Sequence, residues 1–401
     1  MAFEENSLPL KLRPYACDSN TCIEFKLIRE VNDLEDANLS FHPEMTHQIY
    51  GENEQIFGYK NLYIQMYYLS CSLDLYLSIK YDDKITPDKA DGIEPDDIRE
   101  PLLNYLPNKF YTNLDRFLMQ LKIQPKIQPY GHQLHAYRLS DRTFEIYKAD
   151  FNCAGFRDFH QRLRTFLIFY IDAASYIDED DDKWVIYLLY ERYLNKSGEQ
   201  CYGIIGYMTV YLYYAYPDKI RPRISQVLVL PPYQRSGHGK RLLERVYKDF
   251  KSESNIVDIT AEDPSGEFVS LRDYVTVQLC QTMNIFSVNN LKQSGFTKEM
   301  IQKARDEWKI TPVQTRRIYE ILLLKYTNVH NEDEFKQFRL DIKQRLYQPI
   351  KFNKKSHALL QDPAYQALLT DPDKRKAYLE KEFQTVYEYY QEILHSLDKQ
   401  N

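Results

Sequence analysis

RPRISQVLVLPPYQRSGHG, residues 221–239, carries the clearest structural signal in the chain. The apolar run 224–230 is rich in β-branched residues and predicts a buried strand. Pro231 and Pro232 end that strand, because proline lacks the N–H group that a β-ladder needs. Beyond the loop, residues 240–250 repeat leucine, valine and aromatic side chains at helical spacing. A strand, a glycine-bearing turn and a helix are therefore predicted in succession.

The turn itself, QRSGHG at 234–239, has the features of an anion-binding loop. Gly237 and Gly239 let backbone N–H groups approach a phosphate without an intervening Cβ. The following helix directs its positive N-terminus to the same place. A plain turn is the alternative, since short glycine pairs before helices are common. The loop is not a Walker A motif, and it lacks the first glycine of the dinucleotide fingerprint.

Composition and charge bound the class of protein. The 401 residues allow two or three domains, and the net charge of −6 favours a cationic partner over nucleic acid. The six cysteines are scattered without a Cys-x-x-Cys pair, so neither a disulfide framework nor a thiolate metal site is predicted. No apolar run is long enough for a signal-peptide core or a membrane span. We therefore expect an intracellular, soluble protein.

Three regions are predicted along the chain. Residues 1–143 alternate in strand fashion, most plainly at 62–81, and form an N-terminal α+β domain. Residues 144–290 surround the glycine loop and begin with an amphipathic helix at 155–175, whose aromatic face packs on a core. Residues 291–401 form a helical C-terminal domain.

Further strands flank the glycine loop. Residues 184–193 and 202–214 are predicted to precede it as a pair of strands, and residues 256–260 follow it. Because a helix crosses between the loop strand and the strand at 256–260, these two neighbours are expected to be parallel. Ligands of such sheets bind beyond the carboxyl ends of the strands.

Helices and charge runs complete the prediction. Residues 313–326, with Thr311 as the N-cap, and residues 332–346 are predicted helices. The last helix, 379–397, carries a packing seam used within the chain or between chains. The acidic run 178–182 is expected to be a solvated loop, and the weak basic cluster 351–355 a solvated connector.

Four stretches together resemble a known family. Gln-x-x-Gly-x-Gly after a strand, at 234–239, resembles the pyrophosphate loop of the GNAT superfamily of acetyl-CoA-dependent N-acetyltransferases. GYMTVYLYYAYPDK (206–219), DITAEDPSGEFVSLRD (258–273) and FHPEMTHQIYGENEQIFGY (41–59) are similar to the type B histone acetyltransferase catalytic subunit. The resemblance runs from about residue 21 to about residue 327. It implies a mixed α+β/α-β fold with a GNAT-type central domain between the N-terminal α+β and C-terminal helical domains.

Acyl transfer to a lysine needs a base. The ε-ammonium has a reference pKa of about 10.4, and holding it neutral at pH 7 costs roughly 4.6 kcal/mol. Glu262, at the end of a predicted strand, matches the family's base in its Glu-Asp-Pro motif, and we expect burial or neighbouring carboxylates to tune it. Asp263 and Asp172 are the candidate neighbours. Asp263 before proline could instead shape a turn. The resemblance aligns Asp172 with a longer glutamate beside the base, which argues against direct proton abstraction by Asp172.

For acetyl-CoA, the resemblance implies two binding elements. Backbone groups of Val227, Leu228 and Val229 would bind the pantetheine arm like an added strand, with one N–H polarising the thioester carbonyl. Ser265 is a further candidate contact, with helix N-capping as its alternative role. No metal is required, because the donor carries its own reactive thioester. The pyrophosphate would rest on Gln234, Arg235, Ser236, Gly237, His238, Gly239 and Lys240.

For the substrate, the resemblance implies contacts that the residues alone do not reveal. Carboxylates suit a lysine- and arginine-rich tail, and aromatic faces can wall the stem of a lysine. Without the resemblance, each of these positions would be interpreted as surface loop or strand core, and Trp184 as core packing. The implied tail contacts are Glu52, Asn53, Glu54, Tyr211, Leu212 and Tyr213, with Trp184 along the lysine channel.

The function implied by the resemblance is acetyl transfer, in a direct ternary complex, to lysines on the tail of newly made, non-nucleosomal histone four during chromatin assembly. The expected partner is a β-propeller (WD-repeat) histone-binding subunit, with no direct nucleic acid or membrane contact, in cytoplasm and nucleus. Two alternatives are an acetyltransferase for another amine, such as a protein N-terminus or small molecule, and a non-catalytic histone-binding scaffold. Glu262 together with an intact glycine loop favours an enzyme over a scaffold.

Overall fold

A computed structural model describes residues 9–90, 92–352 and 363–399. The chain divides into two units: the first comprises the chain up to Tyr213 together with Ile224–Arg245, and the second comprises Tyr214–Arg223 and the chain from Val246 onward. The predicted domain boundary at 143/144 falls inside a strand and stays a prediction, as does the boundary at 290/291. Positions 353–355 of the predicted basic connector lie outside the described residues.

The first unit contains an N-terminal sheet, a central sheet and several short helices. Its strands are β1 (Ala16–Asp18), β2 (Ile23–Ile28), β3 (Gln55–Phe57), β4 (Tyr59–Lys60), β5 (Tyr63–Leu69), β6 (Leu75–Lys80), β7 (Asp83–Lys84), β8 (His132–Leu139), β9 (Arg142–Ala149), β10 (Trp184–Leu194), β11 (Gln200–Ala215) and β12 (Lys219–Val229). Its helices are α1 (Ser19–Cys22), α2 (His47–Tyr50), α3 (Arg99–Leu103), α4 (Leu114–Met119), α5 (Phe156–Leu163), α6 (Leu167–Tyr170) and α7 (His238–Lys251). Strands β11 and β12 and helix α7 continue into the second unit.

A three-stranded sheet in the order β2-β5-β6 forms the N-terminal core. Phe25 on β2 is fully buried, and its ring lies 5.0 Å from that of Phe169 and 5.8 Å from that of Phe166. The aromatic face predicted for residues 155–175 therefore packs on a core, as expected, but the predicted single helix is wrong: α5 and α6 are separated by a 3-10 turn, and α6 ends at Tyr170. The strand alternation predicted at 62–81 is confirmed and belongs to two strands, β5 and β6, between which the chain reverses and Leu73 adopts a φ of 57°.

The central sheet surrounds the glycine loop, with strand order β12-β11-β10-β9-β8. Strands β10 and β11 are antiparallel, with Trp184 paired to Tyr211, and their register shifts once between Leu189 and Tyr190. The predicted strands at 184–193 and 202–214 are confirmed. The predicted strand, turn and helix around the glycine loop are confirmed as well.

The acidic run 178–182 is not wholly solvated. The Glu179 side chain is only 11% exposed, lies 3.1 Å from the Arg164 guanidinium, and is bonded to the buried His160 ring at 2.8 Å. Burial lowers the pKa of His160 despite this carboxylate. The prediction of a solvated loop is therefore wrong for Glu179, because the preceding helix needs a partner for its buried imidazole.

The second unit is mainly helical. Its elements are β13 (Thr260–Ala261), α8 (Gly266–Cys280), α9 (Val288–Gln293), α10 (Lys298–Trp308), α11 (Pro312–Tyr326), α12 (Glu332–Phe352), α13 (Pro363–Thr370) and α14 (Pro372–Asp398). The predicted strand at 256–260 is formed in part: isolated parallel bridges join Ile256 to Ile220 and Ile259 to Ile310, and the two residues of β13 follow. The predicted parallel direction is confirmed by the bridge between Ile256 and Ile220.

The predicted C-terminal helices are confirmed. Thr311 caps α11 by accepting a hydrogen bond from the N–H of Gln314. The seam of α14 packs within the unit, where Phe383, Ile393 and Leu397 are buried. Of the two uses predicted for this seam, the structure therefore provides the intramolecular one.

Buried carboxylates tie α14 to the other helices of the second unit. Asp273 on α8 is fully buried; it accepts hydrogen bonds from Arg317 at 3.0 Å, Gln314 at 2.6 Å and the Tyr389 hydroxyl at 2.6 Å. Such a network holds its members in one arrangement, because each buried polar group needs its partners.

We expect Asp273→Ala to lower the free energy of unfolding by about 3 kcal/mol, because Arg317 loses its buried counter-charge. Tyr389→Phe, which removes one hydrogen bond, is the control and should cost about 1 kcal/mol. Denaturant titration measures both. Equal stability losses in the two variants would show that the ion pair does not hold these helices together.

Candidate functional site

The end of β12 lies unusually close to its neighbour β11. An ideal Cβ built on Gly206 would be 2.7 Å from the carbonyl oxygen of Leu228, which only glycine tolerates. Two residues after Leu228, the N–H of Leu230 donates to the carbonyl of Ile205 at 2.9 Å. The segment 227–229, predicted to meet the pantetheine arm, is thus held at a fixed position before the glycine loop begins.

Two residues of the glycine loop adopt a left-handed backbone conformation before α7 begins. Arg235 has a φ of 59° and Gly237 a φ of 77°. The Gln234 side-chain amide donates to the Val229 carbonyl at 2.9 Å, which closes the loop back on β12. A Cβ at Gly237 would lie 2.7 Å from the Arg241 guanidinium. Because α7 starts directly at His238, the positive end of its helix dipole adjoins the loop, a place that favours an anion.

His238 packs inward beneath this loop. It is 3% exposed, its Nδ1 lies 2.7 Å from the Tyr137 hydroxyl, and its ring meets that of Phe144 at 4.4 Å. Burial, helped by the nearby charges of Arg241 and Arg142, lowers the pKa of His238 to about 4. The imidazole is therefore neutral at physiological pH and supports the loop as a packing group.

A buried ionic cluster, missed by the sequence reasoning, lies under the same loop. Glu191 on β10 is bonded to Arg29 and, through two bonds of 2.6 Å, to Arg142. The Arg29 guanidinium also donates to the Tyr233 hydroxyl at 2.6 Å. Burial alone raises the pKa of Glu191, but the bonds from Arg142 and Arg29 bring it below its usual value. Since Tyr233 directly precedes Gln234, the cluster fixes the chain where it enters the loop.

Aromatic side chains predicted to wall the lysine stem are grouped together. The ring of Tyr211 lies 4.9 Å from that of Trp184 and 4.5 Å from that of Tyr213, both edge to face. The Tyr211 hydroxyl donates to Asp181 at 2.7 Å, and this bond raises the pKa of Tyr211 to about 12. Leu212 lies between Tyr211 and Tyr213 in the sequence, and its backbone N–H donates to the Lys183 carbonyl. The structure thus presents a half-exposed aromatic surface beside a carboxylate.

An acidic pocket adjoins the predicted tail contacts Glu52 and Asn53. It has a volume of about 570 Å³, and its lining includes the carboxylates of Asp96, Asp97 and Glu100. The N–H groups of Glu100 and Arg99 hold the pKa of Asp97 below its usual value. The sequence signal that could have found this pocket is the acidic, proline-rich stretch at 81–101.

The side chain of Glu54, which follows Glu52 and Asn53, accepts hydrogen bonds from other residues of the first unit. Its carboxylate accepts hydrogen bonds from the N–H of Thr46 at 2.7 Å and the amide of Asn20 at 2.7 Å. Although burial raises the pKa of Glu54, these bonds bring it below its ordinary value. On the other side, His47 lies between Glu54, at 3.7 Å, and Asp172, at 3.0 Å. The structure therefore brings Glu54 and Asp172 together around a histidine.

The remaining candidates lie in the second unit. The Glu262 side chain is 44% exposed and 3.7 Å from the Arg223 guanidinium, so the expected burial of Glu262 is wrong. Glu262 directly follows the two-residue strand β13. Asp263 has a φ of 29°, in keeping with a turn. Ser265 caps α8 by accepting from the N–H of Phe268, which was the alternative to its predicted cofactor contact.

Three family models match the chain in succession. Residues 15–172 match the model described as histone acetyl transferase HAT1 N-terminus, and residues 141–267 match the acetyltransferase (GNAT) family. Residues 272–324 match the model for the C-terminal part of the histone acetyltransferase type B catalytic subunit.

Curated relatives match over nearly the whole length. A histone acetyltransferase type B catalytic subunit from Homo sapiens is 40% identical, covering 98% of this chain and 96% of the relative. The chain belongs to this family. The mouse subunit is also 40% identical, over 98% of this chain and 97% of its own length. One from Cryptococcus neoformans is 30% identical, over 96% of this chain and 98% of its own length.

Membership confirms the family and the fold expected from the sequence. The chain is an acyltransferase of the GNAT superfamily, whose members use acetyl-CoA as donor. The left-handed glycine, the close approach at Gly206 and the N-terminus of α7 directly after the loop fit a diphosphate-bearing donor. Within the described residues, no group of three or more His, Cys, Asp or Glu side chains could hold a metal ion. None of the described helices has the length and apolar character needed to cross a membrane.

We expect the thermal stability of the protein to fall as the pH drops from about 6.5 towards 4, in part through His238. Its folded pKa of about 4 lies below the unfolded value of 6.5, so acid favours the unfolded chain across this interval. His238→Gln should flatten the dependence of Tm on pH, whereas His132→Gln, at an exposed position, should not. Parallel curves for His238→Gln and the unmodified protein would contradict a buried neutral imidazole.

Proposed function

We propose that this chain transfers the acetyl group of acetyl-CoA to lysine ε-amines on the N-terminal tail of newly synthesised, non-nucleosomal histone four, as a step in chromatin assembly. The observation that carries the proposal is the full-length relation to type B catalytic subunits, at 40% identity over 98% of the chain. The acidic pocket beside Glu52 and the aromatic group around Tyr211 support a cationic, lysine-bearing substrate.

The chain's own backbone would bind the donor. N–H groups at the start of α7 and in the loop 234–240 would hold the diphosphate, with the helix dipole contributing roughly 0.3–1 kcal/mol per charge contact. The segment 227–229 would hold the pantetheine arm by strand-like pairing, and one of its N–H groups would stabilise charge on the thioester oxygen. Acetyl-CoA supplies the activated thioester.

Glu262 would act as general base. Its carboxylate can accept the proton that the lysine ammonium must lose, and the Arg223 guanidinium lies 3.7 Å from it. The amine nitrogen then bonds to the acetyl carbon, the carbon–sulfur bond breaks, and the leaving thiolate takes up the second proton that the nitrogen loses on becoming an amide. Asp172 and Asp263 are proposed as assisting carboxylates, not as the base.

Recognition of the tail would use charge first and shape second. The carboxylates of Glu52, Asp96, Asp97 and Glu100 attract lysine and arginine side chains. Trp184, Tyr211 and Tyr213 would contact the aliphatic stem of the lysine. In the cell, the proposed partner is a β-propeller histone-binding subunit, and the proposed sites of action are cytoplasm and nucleus, without direct contact to nucleic acid or membrane.

Acetylation of a peptide library with labelled acetyl-CoA tests the proposal against its alternatives. Label on lysines of the histone-four tail is the expected result. Label confined to peptide N-termini or to small amines would favour the acetyltransferase for another amine, and an absence of label with retained tail binding would favour the scaffold.

We expect Glu262→Gln to lower turnover by about a hundredfold or more while acetyl-CoA affinity stays within about twofold, because the amide cannot accept the proton. Glu267→Gln, five residues along in the first turn of α8, is the matched control and should retain turnover. Steady-state kinetics and calorimetry measure the two quantities. Normal turnover in Glu262→Gln would remove Glu262 from the role of base.

We expect Gly237→Asp to weaken acetyl-CoA binding by about tenfold or more, because it sets a carboxylate against the diphosphate and a Cβ against Arg241. Gly198→Asp is the matched control: Gly198 has a nearly identical φ of 76° and open space around its Cβ. Gly237→Ala separates steric from charge effects. Unchanged affinity in Gly237→Asp by calorimetry would contradict the binding role of the loop.

A further inference from the structure

His47 occupies the space between two carboxylates that the proposed function uses. Its Nε2 lies 3.0 Å from Asp172 and its Nδ1 lies 3.7 Å from Glu54. The imidazole is about one quarter exposed, whereas the Asp172 side chain is 74% exposed. His47 and Asp172 are 125 positions apart in the sequence, so this contact joins two distant segments.

The two segments are fastened together by backbone contacts around this pair. The N–H groups of Glu44 and Met45 both donate to the Phe169 carbonyl, at 3.0 and 3.2 Å. The Tyr170 hydroxyl donates to the His42 carbonyl at 2.8 Å. Gln48 completes the set, with a side-chain bond of 3.2 Å to the Ala174 carbonyl. The backbone carrying His47 is therefore fixed relative to the backbone carrying Asp172.

Asp172 itself sits in a turn that needs support. Helix α6 ends at Tyr170, and Ala173 adopts a left-handed φ of 53°, which is unfavourable for a residue with a Cβ. An aspartate exposed in this way would otherwise sample several rotamers. A hydrogen bond from the imidazole N–H restricts it to one orientation, so the entropy cost of ordering this side chain is met before substrate binds.

The Glu54 side of the imidazole is equally constrained. The Glu54 carboxylate is held by the N–H groups of Thr46 and His47, and the Glu54 carbonyl accepts from Ser19. Glu54 has a left-handed φ of 50° and belongs to the same loop as Glu52 and Asn53. His47 thus connects the loop proposed to meet the tail with the carboxylate proposed to assist the base.

We propose that His47 is a positioning residue for acetyl transfer, which orients Asp172 through its Nε2–H and couples that carboxylate to the tail-binding loop. The inference rests on the proposed function, because it gives Asp172 a part in the reaction. His47 acts through Asp172 and is not itself in the role of base, since both of its ring nitrogens face carboxylates of the chain.

The test is a double-mutant cycle with the full-length protein and a histone-four tail peptide. His47→Ala and Asp172→Ala should each lower kcat about five- to tenfold with little change in KM for acetyl-CoA. The double variant should be no slower than Asp172→Ala alone, because His47 acts through that carboxylate. His47→Gln, whose amide can still donate to Asp172, should recover kcat to within about twofold of the unmodified protein.

Gln48→Ala is the matched control, since it removes a neighbouring bond between the same two segments without touching Asp172. It should keep kcat within about twofold. Multiplying losses in the double variant, an equal loss in Gln48→Ala, or no loss in His47→Ala would each overturn the inference. If His47→Ala lowers Tm enough to compromise the assay, His47→Asn, which is too short to reach Asp172, takes its place in the cycle.

Failure of the proposed function reads out differently. In that case the unmodified protein leaves the tail peptide unlabelled, or Glu262→Gln retains turnover. Failure of the present inference alone leaves an active protein with an inactive Glu262→Gln variant and a fully active His47→Ala variant.

Discussion

The position of the glycine loop depends on one backbone constraint, the close approach of β11 and β12 at Gly206. A side chain there would collide with the Leu228 carbonyl, so the two strands could not run together up to Leu230. Because they do, the chain leaves β12 at a defined point, and the left-handed residues Arg235 and Gly237 can turn it directly into α7. The anion-binding geometry is thus a consequence of strand packing, not of the loop sequence alone.

Buried ion pairs lie next to the start of the glycine loop, and a similar buried ion pair lies in the second unit. Glu191, bonded to Arg29 and Arg142, sits under the start of the loop, and Asp273 plays a comparable part among the C-terminal helices. Buried ion pairs contribute little net stability, because desolvation offsets the attraction. Their effect is geometric, since each charge tolerates only the arrangement that supplies its partners.

Sequence reasoning succeeded where local periodicity and turn chemistry determine structure. The strand before Pro231, the helix after Gly237 and the cap at Thr311 each depend on neighbours within a few residues. It failed where the partner is distant. Glu179 is bonded to the buried ring of His160 instead of being solvated. The predicted strand at 256–260 is present only as isolated bridges before the two residues of β13. The contact between His47 and Asp172, and the cluster around Glu191, leave no trace in any local pattern.

The exposure of Glu262 constrains how such a chain could catalyse acyl transfer. The Glu262 side chain is 44% exposed, whereas neutralising the lysine ammonium at pH 7 costs about 4.6 kcal/mol. The remaining driving force must come from groups that arrive with the substrates and exclude water, since interactions in a dry site are stronger than in solution. Under the proposed function, the acidic pocket lined by Asp96 and Asp97 therefore does more than attract the tail. The pocket would bind basic side chains of the tail at a distance from the reacting lysine. The free energy of that remote binding would then offset the cost of desolvating Glu262 and the amine.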